Sequence, residues 1–278
     1  MINITSIKAK TRNLASQIGL SANIILRMYF FERFLMRLSK SLYKDKFIIK
    51  GGFLISSIIG ITNRTTIDID TNIKDMNLEQ EMITNVIKEI INIDINDGVE
   101  FIFTNIEIIR EIDYYDNFRI SLVAMLENTR IPLKLDITTG DPITPSKIVY
   151  EYSCLLTSEK IRLYAYNIET IIAEKYETII VRNIETTRMK DFYDVYMIFK
   201  LKHNAINFKT LKRAIFNTSN KRKTTKIIKD SKEILNNMQN NSKLINEWEK
   251  FMQKNSYAAD IKFFDTIEIL KTIADIIV

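Results

Sequence analysis

Cysteine, histidine, proline and glycine are all scarce in this chain of 278 residues. The single cysteine, Cys154, excludes an internal disulfide and a cysteine-rich metal cluster. The single histidine, His203, excludes a multi-histidine zinc site and argues against a serine–histidine–aspartate triad. Only three prolines and six glycines are present, which indicates long regular elements with few flexible linkers.

Long apolar runs and a strong charge bias are also missing. No stretch is long enough to span a bilayer and no signal peptide opens the chain, so we expect a cytoplasmic protein without a membrane partner. The 40 basic and 34 acidic residues leave a formal net charge of +6. This surplus permits an anionic partner such as RNA but does not require one.

Hydrophobic periodicity divides the chain into two parts. Residues 1–165 combine N-terminal helices, at 3–18 and from Ser21 to about Lys44, with β-rich or alternating segments. These segments are 47–49, 66–71, 99–103, 106–112, 119–124 and 131–137, with a further helix at 78–93. Residues 166–278 favour helices at 167–179, 188–198, 205–217, 224–239, 242–254 and 260–277. We therefore predict an α/β (α+β) fold, with N-terminal helices and a mixed-sheet core in 1–165 and a helical domain in 166–278.

The most informative stretch joins a strand, a double glycine and a short helix. Residues 47–49 suit a buried strand, and Lys50-Gly51-Gly52 then leads into an apolar helix that ends at Gly60. Glycines at such a turn let the backbone approach a triphosphate closely. The start of the helix after them offers free N–H groups to the phosphates.

Two carboxylates follow at strand spacing. In residues 66–71, Asp68 and Asp70 point to one side of the strand, about 6.5 Å apart. Paired carboxylates can hold Mg²⁺ ions that position the attacking and leaving oxygens of phosphoryl transfer. The alternative is the solvated face of an edge strand. The upstream glycines, together with Arg64 and Thr66 at the strand entrance, favour the metal site.

A third carboxylate lies on a later strand. In residues 131–137 the apolar side chains share one face, while Lys134 and Asp136 share the other. If this polar face is the one that carries Asp68 and Asp70, Asp136 completes a metal-binding triad. A surface pair of Lys134 and Asp136 is the alternative, and the strand alone does not separate the two.

The helical half contains charged residues at the edge of apolar faces. Lys175 falls beside inward-facing isoleucines, where it either reaches nucleotide phosphates or forms a structural ion pair. Asp191 and Asp194 share one face of the next helix, so that Lys175, Arg188 or a substrate hydroxyl could be their partner. Acidic residues near a helix start also complement the helix dipole, which is the structural alternative for Asp191.

Basic residues are concentrated in two places. One is a stripe on the second helix, formed by Arg27, Arg33, Arg37 and Lys40. The other, which we call the basic segment, spans residues 221–232 and contains Lys221, Arg222, Lys223, Lys226, Lys229 and Lys232. Each is either a solvated helix face or a contact surface for an RNA backbone. The aromatic residues Trp248, Phe251, Phe263 and Phe264 are predicted to be core.

Several of these segments resemble the motifs of a known family. Lys50-Gly51-Gly52 and Arg64-Thr65-Thr66-Ile67-Asp68-Ile69-Asp70 resemble the first motif of the DNA polymerase β-like nucleotidyltransferases. More closely, the chain resembles the AbiEii nucleotidyltransferase toxins of bacterial type IV toxin–antitoxin, or abortive-infection, systems. The later segments that carry this resemblance are Leu135-Asp136-Ile137, Gly140-Asp141-Pro142, Ala173-Glu174-Lys175 and Arg188-Met189-Lys190-Asp191-Phe192-Tyr193-Asp194.

The resemblance implies a polymerase β-like core and a set of site residues. The implied metal ligands are Asp68, Asp70 and Asp136, and the catalytic set adds Lys175, Asp191 and Asp194. The implied nucleotide-binding residues are Lys50, Gly51, Gly52, Arg64, Thr66 and Lys175. It also implies Mg²⁺, with Mn²⁺ as a substitute, an NTP donor, an acceptor such as the 3′ end of tRNA, and an adjacently encoded AbiEi-type antitoxin.

Two other functions compete with an RNA-modifying toxin. One is a nucleotidyltransferase that modifies a small molecule such as an aminoglycoside, which would need an acidic acceptor pocket. The basic segment argues against it. The other is a catalytically inactive module that binds NTP or RNA, and the presence of Asp68, Asp70, Asp136 and Lys175 argues against that.

Overall fold

A computed structural model describes residues 4–76, 79–109 and 117–277. Within these ranges the α-helices are α1 (Ile4–Ile18), α2 (Ala22–Lys40), α3 (Gly51–Ile59), α4 (Gln80–Ile91), α5 (Ile168–Arg182), α6 (Met189–Lys202), α7 (Phe208–Lys221), α8 (Thr225–Lys229), α9 (Ser231–Gln239), α10 (Ser242–Lys254) and α11 (Phe263–Ile277). The strands are β1 (Phe47–Lys50), β2 (Ile69–Ile73), β3 (Glu100–Ile109), β4 (Asn117–Leu126), β5 (Thr129–Thr139), β6 (Ile148–Ser153) and β7 (Lys160–Ala165).

The chain divides into two compact units. The first unit comprises Met1–Ser57, Thr65–Gly140 and Ile148–Ala165 and contains the strands and the N-terminal helices. The second comprises Ile58–Arg64, Asp141–Lys147 and Tyr166–Val278 and is mainly helical. Two short segments from within residues 1–165, Ile58–Arg64 and Asp141–Lys147, thus group with the helical part of the chain.

The strands of the first unit form one mixed sheet in the order β3-β4-β5-β2-β1-β7-β6. β2 runs parallel to β5, and β1 runs parallel to β7. The remaining neighbours are antiparallel. A mixed sheet, N-terminal helices and a helical second half confirm the predicted fold class.

Helix α2 supplies much of the core of the first unit and packs against α4, β5 and β7. Phe30, Phe31 and Phe34 are completely buried on it. As predicted, Ser21 caps the helix, because its Oγ accepts a hydrogen bond from the backbone N–H of Ile24. The helix ends at Lys40 instead of near Lys44, since Ser41 caps its C-terminus by donating to the Leu38 carbonyl.

For Arg33 and Arg37, the interpretation of the basic stripe on α2 as a solvated face or an RNA contact is wrong. Arg37 is buried and donates to both carboxylate oxygens of Asp97 at 2.9 Å. Arg33 is also buried, with its Nη1 atom 2.7 Å from Glu159 and its Nη2 atom 3.6 Å from the buried Cys154 Sγ. These partners lie far along the chain, so the helix alone gave no sign of them. The two middle members of the stripe are therefore part of the interior of the first unit, whereas Arg27 is half-buried and Lys40 is exposed.

Three predicted strand segments differ in the structure. The segments 99–103 and 106–112 belong to one strand, β3, because a register shift between Phe103 and Asn105 lets pairing with β4 continue. Residues 110–112, and Leu78 of the predicted helix 78–93, lie outside the described residues. The predicted strand at 66–71 begins only at Ile69, and Ile67 is 59% exposed instead of facing inward.

The second unit is built from α5 to α11. Asn167 caps α5 as predicted, with its Oδ1 accepting from the Thr170 N–H at 2.8 Å. The predicted helix 224–239 is two helices, α8 and α9, which meet at Asp230. Trp248 is buried as expected, but Phe264 is 49% exposed and therefore not core. Across the ranges that the structure describes, no helix is long and apolar enough to cross a membrane.

Candidate active site

The turn between β1 and α3 is built around the carboxylate of Asp70. Gly51, the first residue of α3, has a φ of +62°, a left-handed conformation that favours glycine. A Cβ atom at this position would lie 1.8 Å from Oδ2 of Asp70. The backbone N–H of Gly52 donates to the same Oδ2 at 3.2 Å. The two glycines therefore let the Asp70 carboxylate lie against the start of the helix.

Asp70 and Asp136 lie side by side on neighbouring parallel strands. The register of β2 and β5 pairs Asp70 with Asp136. Paired positions of a ladder carry their side chains on the same face of the sheet. Asp136 is therefore on the face that carries Asp70, next to the turn that ends β1.

Asp68 lies immediately before β2 and is held by a neighbouring hydroxyl. The buried Thr66 donates from Oγ1 to Oδ1 of Asp68 at 2.9 Å and to the Asp68 carbonyl at 3.2 Å. Thr66, which sequence reasoning assigned to the nucleotide, is thus engaged by the chain itself and orients Asp68. We call Asp68, Asp70 and Asp136 the carboxylate cluster.

Arg119 is a member of this site that sequence reasoning missed. It lies on β4 directly opposite Asp136, and its Nε and Nη2 atoms donate to Oδ1 and Oδ2 of Asp136 at 2.8 and 2.7 Å. This hydrogen bonding to Asp136 raises the pKa of the guanidinium further above its usual range. Lys134, the alternative partner considered for Asp136, is exposed. The period-2 pattern of β4 was visible in the sequence, but its register against β5 was not.

The electrostatics of the cluster reflect its crowding with negative charge. Burial, and then repulsion by Asp68, raises the pKa of Asp70 to about 6. The nearby buried Lys50 acts in the opposite direction, Asp136 adds to the rise, and the Gly52 N–H opposes it. A cation placed beside Asp70 would relieve this repulsion.

The donor chemistry of the cluster fits a hard divalent cation, since carboxylate oxygens are the preferred ligands of Mg²⁺ and Mn²⁺. The geometry fits only in part. Among the residues that the structure describes, no three acidic, histidine or cysteine side chains converge closely enough to form a ready-made metal site. Asp68 and Asp70 could hold an ion, whereas both oxygens of Asp136 are engaged by Arg119.

A second group of predicted residues lies in the second unit, and we call it the lysine cluster. Lys175 on α5 places Nζ 2.6 Å from Oδ1 of Asp191 and 2.8 Å from Oδ2 of Asp194, both on α6. Arg64 donates from Nε to Oδ1 of Asp194 at 2.8 Å, and Arg188 donates from Nε to Oδ2 of Asp191 at 2.8 Å. Every carboxylate oxygen of the two aspartates therefore has a cationic partner.

Burial and ion pairing compete within the lysine cluster. Burial alone would lower the pKa of Lys175, but Asp191 and Asp194 outweigh it, and the pKa rises above its usual range. Burial likewise raises the pKa of Asp194, but Lys175 and Arg64 outweigh it, and the net shift is downward. Lys175 is therefore protonated and Asp194 ionised at neutral pH. Arg64, predicted to bind the nucleotide, is buried against Asp194.

The basic segment is only partly a free surface. Arg222 bonds Glu177 at 2.6 Å and lies 3.7 Å from Asp141, so its charge is used within the second unit. Lys232 is exposed but pairs with Asp275 at 2.8 Å. Lys226 and Lys229 are exposed on α8.

Comparison with solved structures identifies the class of fold. A Helicobacter pylori protein described as a candidate nucleotidyltransferase matches 93% of this chain and 96% of its own, with a TM-score of 0.54 and 17% identity. The structure of JHP933 from Helicobacter pylori matches 91% of each chain, with a TM-score of 0.51 and 18% identity. The chain therefore has the fold of these two structures. Among curated proteins, no sequence matches the chain significantly.

Residues 33–268 match the profile of the nucleotidyl transferase AbiEii toxins of type IV toxin–antitoxin systems. The match covers most of the chain, which therefore belongs to this family. Membership makes the protein a nucleotidyltransferase toxin and implies an NTP substrate and an antitoxin partner.

Proposed function

We propose that the protein transfers a nucleoside monophosphate from an NTP to the 3′ hydroxyl of tRNA and so blocks translation in the cytoplasm. The hydroxyl oxygen attacks the α-phosphate, the bond to the β-phosphate breaks, and pyrophosphate leaves. An adjacently encoded AbiEi-type antitoxin would counter this activity. The single observation that carries the proposal is the pairing of Asp70 with Asp136 on parallel strands beside the Gly51-Gly52 turn.

The residues of the first unit have separable tasks in this reaction. Asp68 and Asp70 would hold Mg²⁺, or Mn²⁺ in its place. The bound ion would neutralise the negative charge that develops on the phosphate oxygens. The first turn of α3 offers N–H groups to the triphosphate. Asp136 either completes the ligand set or accepts the proton of the attacking hydroxyl. Lys50 adds positive charge beside Asp70.

The lysine cluster supplies the remaining part of the proposal. Lys175 is held charged by two aspartates, and Arg64 and Arg188 flank them. A charged lysine that two carboxylates hold in place suits the binding of a phosphate. Asp191 and Asp194 would then position Lys175 for transfer.

A labelled transfer assay tests the proposal. Purified protein, Mg²⁺ and total bacterial tRNA are incubated with each NTP in turn, labelled at the α-phosphate. We expect label on tRNA from one NTP and at least about a hundredfold less with the Asp68→Ala/Asp70→Ala variant. Asp260→Ala removes an exposed aspartate of the second unit and serves as the matched control, with unchanged transfer.

The outcomes separate the competing functions. Label on an aminoglycoside in the absence of RNA would favour the small-molecule enzyme over the tRNA-modifying one. Absence of label on tRNA, other RNAs, proteins and aminoglycosides would contradict the proposal and favour an inactive binding module. Toxicity on expression in a bacterial host that disappears with Asp70→Ala would support catalysis as the cause of toxicity.

A further inference from the structure

The ion pair of Arg119 and Asp136 joins the carboxylate cluster to a strand with no assigned role. Two parallel hydrogen bonds, of 2.8 and 2.7 Å, cover both oxygens of the carboxylate in the fork geometry that arginine favours. The side chains are 31% and 16% exposed, respectively, so the pair is open to solvent and solutes.

The sheet fixes the pair next to Asp70. β4 and β5 are antiparallel with Arg119 opposite Asp136, and β5 and β2 are parallel with Asp136 beside Asp70. The three side chains therefore form one row on one face across three adjacent strands. Neighbouring strands lie about 4.8 Å apart, so Arg119 is held within two strand spacings of Asp70.

The partners of the three carboxylates differ in kind. Asp68 accepts a hydrogen bond from the neutral hydroxyl of Thr66, and Asp70 accepts one from the neutral N–H of Gly52. The buried Lys50 acts to lower the pKa of Asp70, but burial and repulsion by Asp68 outweigh it. Arg119 instead brings a permanent positive charge to Asp136, at the place where a metal ion would take the same oxygens.

We propose that Arg119 is a positioning residue that competes with the divalent cation for Asp136 and so limits the entry of the third carboxylate into the metal site. This rests on the metal-dependent transfer proposed above. As long as Arg119 is bonded to Asp136, only two members of the carboxylate cluster, Asp68 and Asp70, are available as metal ligands. The third ligand joins only when the guanidinium releases it, as it would on meeting a substrate phosphate.

Binding of Mn²⁺ alone, without NTP or acceptor, tests the proposal. Electron paramagnetic resonance measures free Mn²⁺ during titration of the full chain, and the binding lost in Asp68→Ala/Asp70→Ala defines the cluster. We expect Arg119→Met to tighten binding by about three- to tenfold, because Asp136 is then free to bind the ion. Arg119→Lys, which keeps the charge but loses the fork, should fall between Arg119→Met and the wild type.

Two controls distinguish competition from a general charge effect. Arg130→Met removes the same charge from the same strand as Asp136, about 20 Å away, and should leave the affinity for Mn²⁺ unchanged. Asp136→Asn should abolish the gain produced by Arg119→Met. Thermal unfolding without metal confirms that each variant is folded.

An unchanged or weaker affinity in Arg119→Met, or a gain that persists with Asp136→Asn, would overturn the proposal. So would the absence of Mn²⁺ binding in both the wild type and Arg119→Met. The proposed function fails separately, if label never reaches an acceptor while Mn²⁺ binding behaves as expected.

Discussion

At the residue scale, Gly51 is constrained by the side chain of Asp70, which comes from the neighbouring strand β2. Its positive φ alone would disfavour other residues, and a Cβ atom would also meet the Asp70 carboxylate at 1.8 Å. Gly19 has a similar φ of +70°, but a Cβ atom there would have no neighbouring atom within 4 Å, so this position isolates the backbone cost.

We expect Gly51→Ala to lose transfer activity by at least about a hundredfold, because Asp70 must move away from the Gly52 N–H. Gly19→Ala should cost only about 1 kcal/mol of stability from its backbone conformation and keep its activity. Steady-state transfer rates and urea denaturation of both variants measure the two effects. Equal activity in the two variants would contradict this account of Gly51.

Glu32 is a second residue whose environment makes a measurable difference. Its Oε1 accepts hydrogen bonds from the Tyr152 hydroxyl at 2.9 Å and the Leu155 N–H at 2.8 Å. Burial nevertheless raises its pKa to about 7, from an ordinary value of 4.5. The folded protein therefore keeps the proton of Glu32 at pH values where the unfolded chain has released it.

The free energy of unfolding should consequently fall as the pH rises from about 4.5 to about 7. Above pH 7 Glu32 is ionised in the folded protein as well, so the stability contributed by its protonated form is lost. Glu32→Gln keeps the acceptor oxygen and cannot ionise, so the variant should gain roughly 3 kcal/mol relative to the wild type between pH 4.5 and 8. Urea denaturation of both proteins at several pH values measures the difference. A difference that does not vary with pH would contradict the raised pKa.

At the element scale, α2 illustrates why charge on a helical wheel is a poor guide to exposure. Arg37 lies in the interior and bonds Asp97 and the Val99 carbonyl. Lys40, on the same helix and three residues further on, is exposed. The helix therefore offers a matched pair of cations in different environments.

Arg37→Met should destabilise the protein by about 3–5 kcal/mol, because it leaves the Asp97 carboxylate buried without its cation. Lys40→Met should change the free energy of unfolding by less than about 0.5 kcal/mol. Chemical denaturation gives both values. Similar effects of the two substitutions would mean that the buried pair contributes nothing.

Local signals were sufficient to predict most elements but not the contacts between them. Caps such as Ser21 and Asn167 act within a few residues, and both were identified from sequence. Alternation shows which side of its own strand each of Asp70 and Asp136 occupies, whereas their shared face and their pairing depend on strand order and register. Arg119 was missed for the same reason, because its partner is set by the register of β4 on β5. The continuity of β3 was missed because a register shift interrupts the alternation.

At the scale of the whole molecule, family membership defines the reaction class and leaves the acceptor to experiment. The basic segment is the feature that bears on an RNA acceptor. Arg222 and Lys232 are paired within the second unit, so the exposed Lys226 and Lys229 are the better candidates for phosphate contacts.

Lys226→Ala/Lys229→Ala should weaken tRNA binding by about tenfold and lower the slope of log affinity against log salt by about 1.5, because two phosphate contacts are lost. Lys250→Ala/Lys254→Ala removes two exposed lysines from α10 of the same unit and should have little effect. Binding titrations at several salt concentrations provide the slopes. Equal losses for the two double variants would indicate a general charge effect and not a contact surface.

The native thiol of this protein, Cys154, has low reactivity. Cys154 is buried, and this burial raises its pKa to about 11, so very little reactive thiolate exists at neutral pH. A maleimide dye would therefore find no competing target when a cysteine is introduced at an exposed position such as Lys226. Binding of tRNA, the proposed acceptor, could then be tested by fluorescence in real time, with the natural cysteine left in place.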